Sequence, residues 1–400
     1  MTIDLLCKVV DNFGDIGVVF RLARALSALP DAPRLRILVD DLAAFAALEP
    51  AVDPSAERQL LRGWEVYRWE LSPASIAAFR ERPTRFLIQC FACPRPDWLE
   101  EALFDQEAPE SLMVDLDYLS AEAYAAEFHR MPSLTRSSRV AKVMFHPGFA
   151  KGTGGLILDP RFAAARERAR NPAGLAASRR DLLARPAIAA ALRAPAAAPA
   201  AFWTLVFSYE RDYSRIVADL AAFHSRLLRG AAAGGAGLLA LVAAGKSRPC
   251  FIAAWRAAGE PFPLLDLPFL PQETWDELLL ACDFSIVRGE DSWSRAALSG
   301  RPFLWQAYPQ EGRYQMVKVE AFLDRLRPHF LEPDFAPLAA AYRAFNDRDR
   351  DEPGVAGEES ILPLLEAPPS FSKSFGDFSD SVFGLGDLAE RLVATLEAGR

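Results

Sequence analysis

An α/β fold built as two successive doubly wound units is what the sequence predicts, and three observations predict it. Strand-like apolar runs alternate with helical stretches through the first 160 residues, at intervals that leave room for parallel crossovers. An alanine- and proline-rich stretch, APAAAPAA at 194–201, then breaks the pattern as a linker or its edge. A second alternating series comes after it, and 400 residues exceed what one core usually covers. Two Rossmann-like domains facing across a cleft are the expected result, because the ligand-binding edge of each sheet needs covering. The predicted division is 1–160 for the N-terminal domain, 161–201 for a helical, Ala/Pro-rich connection, 202–386 for the C-terminal domain, and 387–400 for a C-terminal helix packing back toward the first domain.

The first strand is read through Ile3, Leu5, Leu6, Val9 and Val10, a β-branched and apolar mix suited to burial on both faces. Leu22, Ala25, Leu26 and Leu29 recur at helical spacing, so the turn between strand and helix falls at 11–17. It carries Asn12, Gly14 and Gly17, which tolerate positive φ and let a ligand approach the backbone, and two carboxylates, Asp11 and Asp15. Ligands of open α/β sheets bind at the carboxyl ends of strands, where this solvent-facing turn lies. Capping and the helix dipole account for one acidic residue at a helix start. Two carboxylates and two glycines in so short a turn point to a site.

Further strands are read at 35–40, 65–69, 85–91 and 111–118, with an Ala/Leu helix from Asp41. The segment 142–158 contains Pro147, Gly148, Gly152, Gly154 and Gly155. It matches neither G-x-x-x-x-G-K nor G-x-G-x-x-G, and reads as a glycine-rich loop at a domain edge. Helical stretches at 159–170 and 175–193 lead into the linker. In the second series, strands at 202–209, 237–242, 263–269 and 283–287, and one starting at Phe303, alternate with helices at 213–228, 275–281 and 291–298. Ser, Phe and Gly alternate over 368–386, which reads as loop, before a last helix at 387–397.

Composition narrows the classes. Hydrophobic residues make 51% and charged residues 24%, enough apolar surface for two cores and too much for a disordered chain. A net charge of −8 argues against a nucleic-acid binder or a membrane-surface protein, both of which need basic patches. The start, MTIDLLCKVV, lacks the marks of a signal peptide, and no apolar run is long enough to span a bilayer, so a cytoplasmic location is expected. Five cysteines, an odd number and mostly inside apolar segments, fit a reducing compartment without a disulfide framework. Cys90 and Cys93 form a C-x-x-C, but no second ligand pair accompanies it, and buried, inert thiols are expected.

In the second half the informative stretch is SIVRGEDSWSRAALSGRPFLWQ at 285–306. A buried strand ends in a turn holding Arg288, Gly289, Glu290, Asp291 and Ser292 before a helix. The free N–H groups and dipole of that helix suit a diphosphate, with Ser292 as a donor and Arg288 as a bidentate partner. Glu290 and Asp291 do not suit an anion, but carboxylates grip sugar hydroxyls, which fits a nucleotide sugar. The competing reading is a capped helix start ahead of a core helix. Upstream, Phe269 and Gln272 in LPFLPQ offer stacking and an amide for a nucleobase.

Five segments together resemble the protein-arginine rhamnosyltransferases that modify bacterial translation elongation factor P, the EarP family. They are CKVVDNFGDIGVVFRLARAL at 7–26, FSYE at 207–210, LPFLPQ at 267–272, VRGEDSWSRA at 287–296 and YPQE at 308–311. The resemblance spans nearly the whole chain and is weakest in the alanine-rich linker and the Ser/Phe/Gly segment. It implies a GT-B glycosyltransferase, dTDP-β-L-rhamnose as donor, inversion at the anomeric carbon, and one arginine of elongation factor P as acceptor. The modified factor would rescue ribosomes stalled at polyproline. No cofactor or metal is implied. Carried across by motif, Asp15 is the general base and Asp11 its partner at the guanidinium, with Asn12, Phe13 and Gly14 beside them. Phe207, Tyr209, Phe269, Gln272, Arg288, Glu290, Asp291 and Ser292 line the donor site.

The chemistry accounts for such residues. A guanidinium has a pKa above about 12 and delocalised lone pairs, so prior deprotonation is unfavourable and carboxylates must bind, orient and deprotonate it as the bond forms. No D-x-D triplet stands in a site turn, in keeping with a metal-independent enzyme. The alternative is a nucleotide-sugar epimerase, or another GT-B enzyme without a protein acceptor, since fold does not decide function. A nicotinamide oxidoreductase needs a G-x-G-x-x-G that is missing. A non-catalytic binding protein has no use for Asp11 and Asp15 together.

Overall fold

The apolar run TIDLLC forms β1 (Thr2–Cys7), buried on both faces as a central parallel strand must be. The structure, a computed structural model, describes residues 1–10, 13–191, 198–230, 236–347 and 360–399. After β1 come β2 (Arg34–Val39), β3 (Arg58–Leu61), β4 (Trp64–Arg68), β5 (Phe86–Cys90), β6 (Ser111–Leu116), β7 (Pro132–Ser133) and β8 (Val140–Phe145). They form one sheet in the order β3-β4-β2-β1-β5-β6-β8-β7, parallel except for β3 and β7 at its edges. The chain leaves β1 toward β2 and β4, then returns to the other side of β1 with β5. The carboxyl ends of β1 and β5 therefore flank a topological switch point, where open α/β sheets open a crevice.

Two expectations need correction in this sheet. Val9 and Val10 lie beyond β1, which ends with its partner strand, Cys7 opposite Val39; the Val9 N–H turns instead to Asp40 Oδ1 at 2.8 Å, and Val10 is exposed. The 142–158 segment begins inside β8, paired to β6 with Met113 opposite Lys142, and only the chain beyond Phe145 is loop. At the opposite end of β1, the buried Asp4 carboxylate takes two 2.6 Å bonds from Arg36, whose guanidinium lies 3.8 Å from the Phe79 ring centroid. A fully paired buried charge of this kind secures register at the strand starts, and breaking it by removing one partner costs about 3–5 kcal/mol.

The second sheet contains β9 (Phe202–Val206), β10 (Leu238–Val242), β11 (Leu264–Asp266), β12 (Phe284–Arg288) and β13 (Phe303–Gln306), all parallel, in the order β11-β10-β9-β12-β13. The same logic puts its switch point between β9 and β12. The described residues divide into two compact units, Met1–Asp159 with Phe383–Arg400, and Pro160–Val382. The helices Pro160–Arg170 and Pro172–Ala184, expected as part of a connection, thus group with the second sheet; the buried Arg179 donates to the Ala201 and Ala281 carbonyls and pairs with Asp283 at 2.6 Å. The first half of the predicted APAAAPAA linker, 194–197, lies outside the described residues.

The Ser/Phe/Gly segment is not loop. It forms the helix Pro369–Phe383, with Phe371, Phe375, Phe378 and Val382 buried. Their three- and four-residue spacing is one helix face, and burying it outweighs the weak propensity of the serines and glycine between. The last helix, Leu388–Ala398, belongs to the first unit. Asp387 caps it through the Ala389 and Glu390 N–H groups and also accepts the Leu158 N–H at 2.6 Å, while Leu388, Leu392 and Leu396 join the core under β1.

Candidate active site

Helix α1 (Gly14–Ser27) comes after β1 with Phe13 at its cap position, so the turn is shorter than the sequence implied and Gly17 lies buried within the helix. Ile16, Val19, Phe20, Leu22, Ala23 and Leu26 are buried along α1, each large one worth about 1.5–3 kcal/mol, which anchors the helix on the sheet. Asp15 is held in its first turn. It is only 4% exposed, not solvent-facing as expected. Its Oδ2 accepts the Val10 N–H at 2.7 Å and its Oδ1 accepts the Tyr118 hydroxyl at 3.1 Å. The positive end of α1 lies beside this charge. Phe13 is exposed at the same turn, and Gly14 opens the helix. Asp11 and Asn12 lie outside the described residues.

Tyr118, which sequence reasoning missed as a site residue, comes from just beyond β6. Its ring stacks on Phe91, just beyond β5, with centroids 4.5 Å apart and planes 12° off parallel. Phe91 and Ala92 adopt φ values of +61° and +48°. Positive φ at a bulky residue stores strain, and such strain collects at functional sites. Asp117 accepts the Tyr118 N–H at 2.8 Å, and its other oxygen lies 3.1 Å from Nδ1 of the buried His146, off line for a hydrogen bond. Asp15, Phe91 and Tyr118 thus stand at the carboxyl ends of β1, β5 and β6.

In the second unit, the residue after β9 and the last residue of β12 meet at the switch point. The Arg288 guanidinium lies 4.8 Å from the Phe207 ring centroid and 4.7 Å from that of Tyr209. Two aromatic faces hold it as a cation, and its Nε–H is buried without a hydrogen-bond partner. Gly245 lets Phe207 in: a Cβ there would sit 3.2 Å from the ring, and its φ of +153° favours glycine. Phe207 also meets the Trp275 ring edge at 5.0 Å, which brings the helix Gln272–Ala281 alongside with Gln272, buried, as its first residue. Phe269, in the loop before that helix, is 48% exposed. Tyr209 is fixed by the Tyr213 hydroxyl, which donates to its carbonyl at 2.7 Å, and by Gln306 Oε1, which accepts its N–H at 3.2 Å. Tyr308 packs edge-on against it at 5.4 Å. Gln306, Tyr213 and Tyr308 were not anticipated as site residues, although YPQE contains the last.

Gly289 caps the helix Glu290–Ser299 with φ +68° and no side-chain cap bond. Nothing lies within 4 Å of where its Cβ would be, so the backbone angle and not crowding demands glycine. Glu290 and Asp291 are half-buried and Ser292 is buried in the first turn. A helix start with open space above it and an orphaned guanidinium N–H beside it is equipped for an anionic group. The predicted capped-helix alternative lacks its capping side chain.

The thiols fit the expectation of inert cysteines: Cys90 and Cys93 are buried and unpaired by disulfide, and burial pushes the Cys93 thiol up to about 12 and Cys90 well above its ordinary value. No helix among the described residues is long and apolar enough to cross a membrane.

Comparison with known proteins places these features in context. A sequence model described as the elongation factor P (EF-P) rhamnosyltransferase EarP matches residues 3–397. A protein-arginine rhamnosyltransferase of Shewanella oneidensis is 34% identical over 355 residues, spanning 83% of this chain and 82% of that protein. One from Pseudomonas putida is 34% identical over 350 residues, spanning 86% of each. Among solved structures, one obtained for EarP-mediated arginine glycosylation of translation elongation factor EF-P aligns over 100% of this chain and 99% of its own, with a TM-score of 0.57 and 22% identity. The UDP-GlcNAc 2-epimerase of Neisseria meningitidis shares the fold at a TM-score of 0.51 and 8% identity over the full length of both chains. The fold is that of the GT-B glycosyltransferases.

Proposed function

We propose, from the premise that the chain belongs to the EarP family and is a protein-arginine rhamnosyltransferase, that it moves L-rhamnose from dTDP-β-L-rhamnose to an arginine of elongation factor P with inversion. The observation that carries the reading is Asp15, a buried carboxylate fixed at both oxygens at the switch point of the first sheet. A base so held suits an acceptor that is itself a cation: it binds the guanidinium, turns one nitrogen toward the anomeric carbon, and takes that nitrogen's proton as the bond forms. The nitrogen–carbon bond forms as the carbon–oxygen bond to the diphosphate breaks, and the electron pair leaves with dTDP. Asp11 takes the part of partner at the guanidinium, and Asn12, Phe13 and Gly14 take part in binding substrate.

The donor belongs to the second unit. Phe269 and Gln272 hold the base, Phe207 and Tyr209 flank Arg288, and the helix start at Glu290 with Arg288 and Ser292 meets the departing charge. Glu290 and Asp291 take the sugar hydroxyls. No metal ion is invoked, since these groups supply the positive potential. The reaction takes place in the cytoplasm, on a factor that then relieves ribosomes stalled at polyproline. Intact mass of elongation factor P after incubation with the enzyme and dTDP-rhamnose tests the reading; a gain of one rhamnosyl unit is expected. Consumption of nucleotide sugar without any gain in mass would point to the epimerase reading, whose fold this chain shares.

A further inference from the structure

We infer that Tyr118 is a positioning residue for the transfer, holding the Asp15 carboxylate in the orientation in which it receives the acceptor's proton. The inference rests on the role given to Asp15 above. A carboxylate turns freely about its last torsion, because terminal sp³–sp² rotors have broad, two-fold wells. A hydrogen bond from the Val10 N–H reaches Oδ2 at 2.7 Å. A hydrogen bond from the Tyr118 hydroxyl reaches the other oxygen, Oδ1, at 3.1 Å, from beyond β5, and sets the tilt of the carboxylate plane.

The donor of that second bond is itself immobilised more than a surface tyrosine needs to be. Its ring, 37% exposed, lies flat on Phe91, and Phe91 keeps a left-handed backbone to present that face. Its backbone N–H is tied to Asp117, and the other Asp117 oxygen lies against the buried His146 ring. Strained backbone retained at a switch point is a cost that packing alone does not explain, since a glycine at 91 would relieve it. The arrangement makes sense if the phenol must arrive at one place. In the transfer, the proton passes from the guanidinium to a remaining lone pair of Asp15, and the phenol keeps its own proton throughout.

Tyr118→Phe retains the stacked ring and removes only the hydroxyl. Steady-state kinetics with intact elongation factor P and dTDP-rhamnose, dTDP calorimetry and thermal melting should be run on it beside Asp15→Asn. The expected result is a kcat about tenfold or more below wild type, as for loss of aim in a general base, with both KM values, dTDP affinity and melting temperature unchanged. Wild-type kcat in Tyr118→Phe while Asp15→Asn is inactive would overturn this inference and leave the proposed function standing. A raised acceptor KM at unchanged kcat would overturn it too, since Tyr118 would then touch the acceptor and not act through Asp15. A fall in kcat matched by a fall in melting temperature would reduce it to a structural role. An active Asp15→Asn would instead remove the base itself, and with it the reading on which this rests.

Discussion

Asp15→Asn keeps the shape of a side chain that is closed in by its neighbours but cannot take up a proton. Transfer should fall by about 10²–10⁴-fold, while thermal melting and dTDP titration stay near wild type, because the Tyr118 hydroxyl can turn to accept from the new amide. Turnover within a few-fold of wild type would show that the base is elsewhere. On the donor side, Phe269→Ala and Gln272→Ala should each weaken dTDP and dTDP-rhamnose to the same degree, since neither group is read as touching the reacting bond. Loss of the stacking ring should cost about 1–3 kcal/mol by calorimetry, by analogy with bases stacked on aromatics. Unchanged dissociation constants in both variants would move the base to another wall. That Asp15 and Arg288 lie where a strand hands over to a helix was legible, because that signal is local in the chain. Tyr118 was not, because it reaches Asp15 from 103 residues away and only the order of β1, β5 and β6 makes them neighbours. Burial of Asp15 was equally invisible, since the turn sequence does not name the distant residues, Tyr118 among them, that lie against it.

The helix Pro369–Phe383 teaches the complementary lesson. Serine, glycine and phenylalanine in alternation look like loop, yet Phe371, Phe375, Phe378 and Val382 keep helical period and find an aromatic surface in the second unit. Phe375 meets Phe303 at 5.5 Å, Phe330 at 5.1 Å and Phe371 at 5.3 Å, and is almost fully buried. Phe375→Ala should therefore destabilise the protein by about 3–5 kcal/mol in urea unfolding, as for other phenylalanines cut back to a cavity. A loss under about 1 kcal/mol would mean that the cluster closes over the gap. Strand cores were read well because apolar runs of this length have few alternatives, whereas their ends were not: β1 stops at Cys7 where its partner β2 stops, a fact of pairing and not of the residues next in the chain.

For the whole molecule, strand and helix alternation was enough to give two sheets with parallel cores, since each βαβ step has essentially one hand and one layer arrangement, although not the antiparallel edge strands β3 and β7. How a protein acceptor is read is a question at this scale. A guanidinium in a free peptide must lose its freedom before it can meet a fixed carboxylate, at a cost for every unit immobilised, whereas a folded domain arrives with its loop in order. Elongation factor P as a folded domain should accordingly be modified with a kcat/KM at least about tenfold above that of a linear peptide spanning the same arginine, and NMR of the product should show an α-linked sugar. Equal rates, or a β linkage, would contradict recognition of a folded partner or direct displacement respectively. The return of the chain to its first unit has a bearing on synthesis. Leu388, Leu392 and Leu396 complete the core that also holds Ile16 and Val19 of α1, so the helix presenting Asp15 lacks part of its support until those leucines have left the ribosome. Domains made of one continuous stretch can fold as they emerge, and the second unit is such a stretch. The part of the enzyme made first is thus the part finished last, and a nascent chain halted before residue 388 carries Asp15 on an unfinished scaffold.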